Sequence, residues 1–392
     1  MQFGLFNAPF HPVGQNPTLA LERDIQLVEH LDMLGFDEAW FGEHHSGGVE
    51  IFGSPELMIA TAAARTRRIR LGTGVNSLAY HHPFILADRW VQLDHLTRGR
   101  AMFGAGPGAL PSDAYQMGIE VSEQRRMMEE SLEAIVALLE GDAPVTCKTD
   151  WFELREARLH LRPYTWPMPD VRVAAIVSPA GPRAAGRFGL GLLSMGATGH
   201  DGFNALADAW GIVTERATEF GHAPDRRRWS LVGPMHLAPT EEQARKDVEY
   251  GLLEWYRYFI TASPHPLPPV STVEEAADTM VSTGMAVIGT PQQAIDQIER
   301  LIRQSGGFGT YLIMGNEWAD WPATLRSLEL FARFVMPHFQ GQLGVRRDAF
   351  AWLEERSSRF RDQFSSAQQK ATDAHRAEKE HRATQAVGGG QA

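Results

Sequence analysis

The chain has 392 residues, 43% hydrophobic and 22% charged, the composition of a globular protein long enough for two ordinary domains or one extended barrel. A formal charge of −11 argues against electrostatic binding of nucleic acid, and no apolar run reaches the ~18 residues of a membrane-spanning helix, so neither nucleic acid nor membrane is expected as a partner. The single cysteine, Cys147, excludes an internal disulfide and a cysteine-rich metal site, and the N-terminus reads as a strand instead of a basic-headed leader; a cytoplasmic location is expected.

In chain order, short β-type runs alternate with amphipathic helical segments. The predicted strands are Gln2–Phe6, Glu38–Gly42, Arg70–Val75, Ala101–Gly104, Val171–Val177, Gly191–Ser194, Trp229–His236 and Thr310–Met314. Between them the spacing predicts helices over Leu19–Leu34, Pro55–Ala64, Pro83–Leu96, Ser122–Leu139, Pro179–Phe188, Asp201–Phe220, Glu241–Tyr256 and Pro291–Arg303. Val171–Val177 is nearly continuous in small and branched apolar residues, as a strand covered on both faces would be. This alternation predicts an α/β fold, a (β/α)8 TIM barrel. A doubly wound open sheet is the competing architecture, although no Gly-x-Gly-x-x-Gly follows the first strand.

Three segments interrupt the alternation. Residues 140–168 read as an insertion with two short strands, Asp150–Leu154 and Ala157–Leu161. Residues 259–287, rich in Pro, Ser and Thr, read as a lid or a mobile loop. From about Gly341 the chain is charged and in helical register, so residues 1–340 are taken as the barrel domain and 341–392 as a helical tail. That tail is an exposed helix, an oligomer contact or partly disordered towards its end.

Chemistry concentrates at strand ends. The second strand runs into Glu43-His44-His45, and histidine suits proton transfer near neutrality. These three residues are the catalytic candidates. A metal site is not expected, because adjacent residues at a strand end point apart and no His-x-x-x-His pair supports one; histidines that merely bond loop carbonyls are the other reading. The third strand ends in Gly74-Val75-Asn76-Ser77, where small residues let a flat ligand approach the backbone and the Asn76 amide can bond a polar ring edge. Gly106 lies in a glycine-rich loop after the fourth strand. Ser178 and Gly181 open the helix after the fifth, a reasonable phosphate seat that Arg183 either joins or leaves as a solvated residue. Met195, Phe6, Trp40 and His236 are candidates for lining a cavity, His236 being either a buried core histidine or a second proton handler.

Phe41–His45, Leu71–Val75, His82-Pro83, Asp94–Arg100 and Phe103–Gly106 occur in an order that resembles the bacterial luciferase-like flavin-dependent monooxygenases. Arg187–Leu190, Ile288–Pro291 and Gly306–Phe308 continue the likeness, which covers roughly residues 1–340 and looks nearest to the limonene and alkanal monooxygenase-like branch. The resemblance implies a TIM barrel that binds reduced FMN (FMNH2) delivered by an NAD(P)H-dependent flavin reductase. It also implies a C4a-(hydro)peroxyflavin formed with O2, insertion of one oxygen atom into a small hydrophobic substrate, and a homodimer. His44 matches the histidine that members use near the reactive flavin, with His45 or Glu43 orienting it; Gly74–Val75 matches a non-prolyl cis peptide under the flavin ring, and Ser178 a phosphate contact. Two departures stand out. Gly106 and Pro107 occupy the places of a cysteine and an arginine of luciferases proper, and Val177 that of a carboxylate, so light emission from a long-chain aldehyde is not expected. An F420-dependent oxidoreductase of the same barrel superfamily, a non-catalytic flavin-binding protein and a metal-dependent barrel hydrolase are the alternatives.

Overall fold

The computed structural model describes residues 1–392 apart from 9, 177, 197, 200–202, 263–266 and 389–392. Val177, Asp201, the Pro264-His265-Pro266 run and the terminal Gly389-Gly390 therefore lie outside the described residues. Two compact units are present, Met1–Phe339 and Gln340–Ala392.

The first unit is a closed barrel of eight parallel strands: β1 (Gln2–Asn7), β2 (Glu38–Phe41), β3 (Arg70–Thr73), β4 (Ala101–Gly106), β5 (Val171–Ala175), β6 (Gly191–Met195), β7 (Trp229–Leu237) and β8 (Thr310–Met314). Each strand pairs with the next and β8 closes on β1, which excludes the open sheet. Around it lie α1 (Pro17–Leu34), α2 (Pro55–Arg65), α3 (Pro83–Thr97), α4 (Gln124–Glu140), α5 (Ala180–Arg187) and α6 (Phe203–Glu219). They are followed by α7 (Glu241–Val248), α8 (Leu252–Ala262), α9 (Val273–Ser282), α10 (Pro291–Ser305) and α11 (Trp321–Leu330). Proline opens α1, α2, α3 and α10, where its missing N–H has no intrahelical partner to lose, and Thr290 with Gln293 forms a capping box on α10.

Strand alternation sorts the core. Phe3, Leu5, Ala39 and Phe41 face the helices, whereas Phe6, Trp40, Met102, Leu193, Val232 and Leu312 fill the barrel. Trp40 is wholly buried and its ring lies where a side chain on Gly72 would go, so only glycine fits beside it on β3. Towards the N-terminal ends of the strands the interior is ionic. Arg172 reaches Glu38 at 2.7 Å and Asp170 at 2.8 Å, and the Trp40 indole donates to Glu38 at 3.0 Å. Burial alone would lower the Arg172 pKa, but the facing Glu38 and Asp170 carboxylates raise it, so the guanidinium stays charged.

Three sequence expectations need correction. The insertion is an antiparallel hairpin over Val145–Lys148 and Glu153–Ala157, not Asp150–Leu154 with Ala157–Leu161. Trp151 and Phe152 turn the chain instead, because the Thr149 hydroxyl accepts both of their N–H groups. The expected helix Glu241–Tyr256 breaks into α7 and α8, since Gly251 leaves the helix to donate its N–H to the Trp318 carbonyl. The 259–287 segment holds the end of α8, the whole of α9 and the start of a short strand, Val287–Gly289, that pairs beside β7. Its described residues are therefore largely regular structure and not a long loop. In the second unit, α12 (Leu343–Gly388) is a single helix of 46 residues. No helix of the described residues is long and apolar enough to cross a membrane.

Candidate active site

A cleft opens at the carboxyl ends of the strands, where loops leave the barrel. It has two connected lobes that share Val75, Ala109, Ile176 and Met195. One, of about 1090 Å³ including its open mouth, is walled by Phe6, Phe10, Trp255, Tyr258, Phe259 and Met314, with Glu43, His44 and Glu50 on one side. The other, of about 1140 Å³ with its mouth, runs past Ala174 to Arg125, Ser178 and Gly181.

His44 follows β2 and is gripped at both ring nitrogens. Nδ1 lies 3.3 Å from Asp113 Oδ2 and Nε2 lies 3.1 Å from Glu50 Oε2. Burial by itself would lower the pKa, but Glu50 and Asp113 overcome it and push His44 up to about 10. At neutral pH the ring is thus an imidazolium beside an apolar lobe. Asp113, on the short helix Pro111–Gln116 after β4, also accepts the His45 N–H at 3.1 Å and the Ser46 hydroxyl at 2.5 Å, which fixes the loop after His44. The Tyr258 hydroxyl faces Glu50, and burial together with that carboxylate raises its pKa, so it stays a phenol.

Glu43 is buried with three donors: the His45 ring at 3.0 Å, the His81 ring at 2.6 Å and the Ser77 N–H at 2.6 Å. Burial would raise its pKa, yet these hydrogen bonds hold it at about 2. Glu43 and His45 form a clamp of their own. The expectation that one of them orients His44 is corrected: Asp113 and Glu50 do so, because His44 and His45 point apart from the strand end.

The Gly74–Val75 peptide is cis. Both residues line the cleft, and Asn76 lies buried beside them with its Nδ2 donating to Thr73 Oγ1 at 2.9 Å. The Asn76 carboxamide oxygen has no partner among the described residues. Gly106 sits behind Val75, whose side chain occupies the space a Cβ on Gly106 would need. Ser178 Oγ accepts the Ala180 N–H at 3.2 Å, which leaves its own proton to donate at the start of α5. Met195 and Phe6 line the cleft. Trp40 and His236 are not brought to it. Trp40 is one layer down in the barrel interior, and His236 points to Asp247 at 3.1 Å, where burial lowers its pKa in spite of that partner.

Glu50, Tyr258 and Arg125 line the cleft and the buried Asp113 holds His44 at its side, none of them having stood out in the sequence. Asp113 follows a strand end, the one signal that pointed towards it; Glu50 and Tyr258 carry none. Arg125, on α4, is an exposed guanidinium at the Ser178 end with no ion pair among the described residues. Among the described residues no group of three or more His, Cys, Asp or Glu is arranged to hold a metal ion.

This donor set fits a flavin mononucleotide. The apolar middle of the cleft suits a flat ring system, whereas the buried Asn76 is not among the residues that line it. Ser178, the first turn of α5 and Arg125 suit a phosphate.

A family profile described as luciferase-like monooxygenase matches residues 1–308. The chain is 48% identical over 379 residues to limonene 1,2-monooxygenase of Rhodococcus erythropolis, covering 97% of each chain. It is 43% identical over 360 residues to 4-hydroxyprotoasukamycin monooxygenase of Streptomyces nodosus subsp. asukaensis, covering 91% of this chain and 97% of that one. The oxygenating constituent of 3,6-diketocamphane monooxygenase from Pseudomonas putida, a type II Baeyer–Villiger monooxygenase solved in complex with FMN, superposes with a TM-score of 0.71 at 25% identity over 86% of this chain and 98% of that one.

Proposed function

This chain belongs to the luciferase-like monooxygenase family, and from that premise we propose that it is the oxygenating component of a two-component system. It takes FMNH2 from a separate NAD(P)H-dependent flavin reductase and uses O2 to insert one oxygen atom into a compact, uncharged, hydrophobic molecule. The observation that carries this reading is the single cleft that joins an imidazolium and an aromatic lobe to a phosphate-suited end. The names of two relatives, a limonene monooxygenase and a diketocamphane monooxygenase, support a substrate of that size and polarity.

Reduced FMN supplies the activation of O2 when bound. Ser178, the α5 amides and Arg125 would hold its phosphate, and Val75, Ile176 and Met195 would enclose its ring. His44, held at Nδ1 by Asp113 and at Nε2 by Glu50, keeps a protonated ring beside the reacting region, a proton source once one of these two contacts opens. Phe10, Trp255, Phe259 and Met314 exclude water and receive the substrate.

The test is to load the protein with FMN, reduce it without air, and mix it with O2 and a panel of monoterpenes and cyclic ketones. Oxygen uptake coupled to oxygenated product is expected. His44→Ala should lower coupled oxygenation by about a hundredfold or more while FMN binding changes little. Hydrogen peroxide as the only product with every substrate, or full activity without His44, would sink the proposal.

A further inference from the structure

The helix α12 exposes bulky apolar side chains along its first half: Phe350 at 61%, Leu353 at 47% and Phe364 at 72%. A helix with such a face gains stability by covering it. From Phe350 to Ala374 one stripe, stepping alternately three and four residues, carries no charge, and it is bounded by Arg346 and Glu378. That spacing is the a/d seam of a coiled coil. Bulk sits in its first half and alanine in its second.

This asymmetry makes the stripe complementary to itself when reversed. Laid antiparallel on a second copy, Phe350 meets Ala374, Leu353 meets Ala371, Ser357 meets Ala367, and Phe360 meets Phe364. In that same register Arg346 of each helix falls opposite Glu378 of the other, so opposite charges close both ends. A parallel alignment in register would set Arg346 against Arg346 and Glu378 against Glu378. It would also stack alanine on alanine, leaving half the seam underfilled. Glu354, Arg356, Arg361 and Lys370 flank the seam, and the three basic ones offer no attraction to each other, so packing and the charged ends set the register.

We propose that α12 is a self-association element, pairing antiparallel with α12 of a second copy of this chain through the stripe from Phe350 to Ala374. The occupant is this chain itself, because the matching of large with small and of Arg346 with Glu378 requires no other sequence.

The experiment uses the full chain in a Cys147→Ser background. Ser357→Cys and Ala367→Cys are introduced singly, and each protein is treated with a short thiol cross-linker alone and as an equal mixture. The antiparallel pair predicts a cross-linked dimer in the mixture and little in either single protein. Cross-linking of Ser357→Cys with itself would overturn the antiparallel register. Sedimentation provides a second readout: Phe360→Asp with Phe364→Asp should weaken self-association by about tenfold or more while circular dichroism shows the helix retained. No cross-link in any sample, self-association unchanged by the two aspartates, or an α12 that instead binds neutral lipid vesicles would each overturn the proposal.

Discussion

Asp113 holds His44 across 69 positions of sequence, with Oδ2 3.3 Å from Nδ1. Glu50 takes the other nitrogen, so the ring sits in a fixed orientation between two carboxylates and keeps both protons. The charge on His44 is therefore a property of its neighbours and not of the imidazole.

Changing either neighbour should move the titration of His44. In the unaltered protein its ring protons should stay in the imidazolium state through neutrality and titrate near 10. Asp113→Asn and Glu50→Gln should each bring that midpoint down, and the double variant further, as followed by histidine ring resonances against pH. A wild-type ring that titrates near 6.5 would show that the two carboxylates do not act on it.

Stability against pH should carry two independent edges. His44 has its folded pKa raised from 6.5 to about 10, so its contribution is complete below 6.5 and is lost as pH rises through about 10. Glu43 has its folded pKa lowered from 4.5 to about 2, so its contribution is complete above 4.5 and is lost as pH falls through about 2. His44→Ala should flatten the alkaline edge of a melting-temperature profile and Glu43→Gln the acid edge. Glu43→Gln should also cost about 1–3 kcal/mol near pH 6, because one carboxylate now satisfies three donors.

Gly106 and Val75 compete for one space. Gly106→Ala alone should weaken FMN binding, measured by quenching of flavin fluorescence, because Val75 must move into the cleft. Adding Val75→Ala should restore most of the affinity. No effect from Gly106→Ala would show that Val75 has room to spare.

Arg125→Ala should raise the dissociation constant for FMN by roughly ten- to a hundredfold, the range for losing a charged hydrogen bond. Riboflavin, which lacks the phosphate, should bind both proteins alike. Equal losses for the two flavins would assign Arg125 to the fold and not to a phosphate.

Much of this architecture was legible in the sequence because buried parallel strands are short, apolar and separated by helices of regular period. Val171–Val177 and Thr310–Met314 read as strands on those grounds, and the loops that follow barrel strands carry the candidate chemistry. The hairpin was misread because Trp151 and Phe152 look like strand residues, whereas the Thr149 hydroxyl makes them a turn. His236 reads equally as a buried core histidine or a second proton handler, and the choice between them rests on its contact with Asp247, which no local pattern states. The partners of His44 were invisible for the same reason: Asp113 and Glu50 reach it from separate loops, and only closure of the barrel brings them together.

The aromatic lobe owes Trp255, Tyr258 and Phe259 to α8, a helix carried between β7 and β8, whereas the Ser178 end is built from segments after β3, β4 and β5. On the proposed reading these two stretches answer to different pressures. Mutations accumulating in α8 can retune which carbon skeleton is admitted while the electron-delivery partnership is inherited intact. A lineage equipped in this way can change its diet without changing its fuel line.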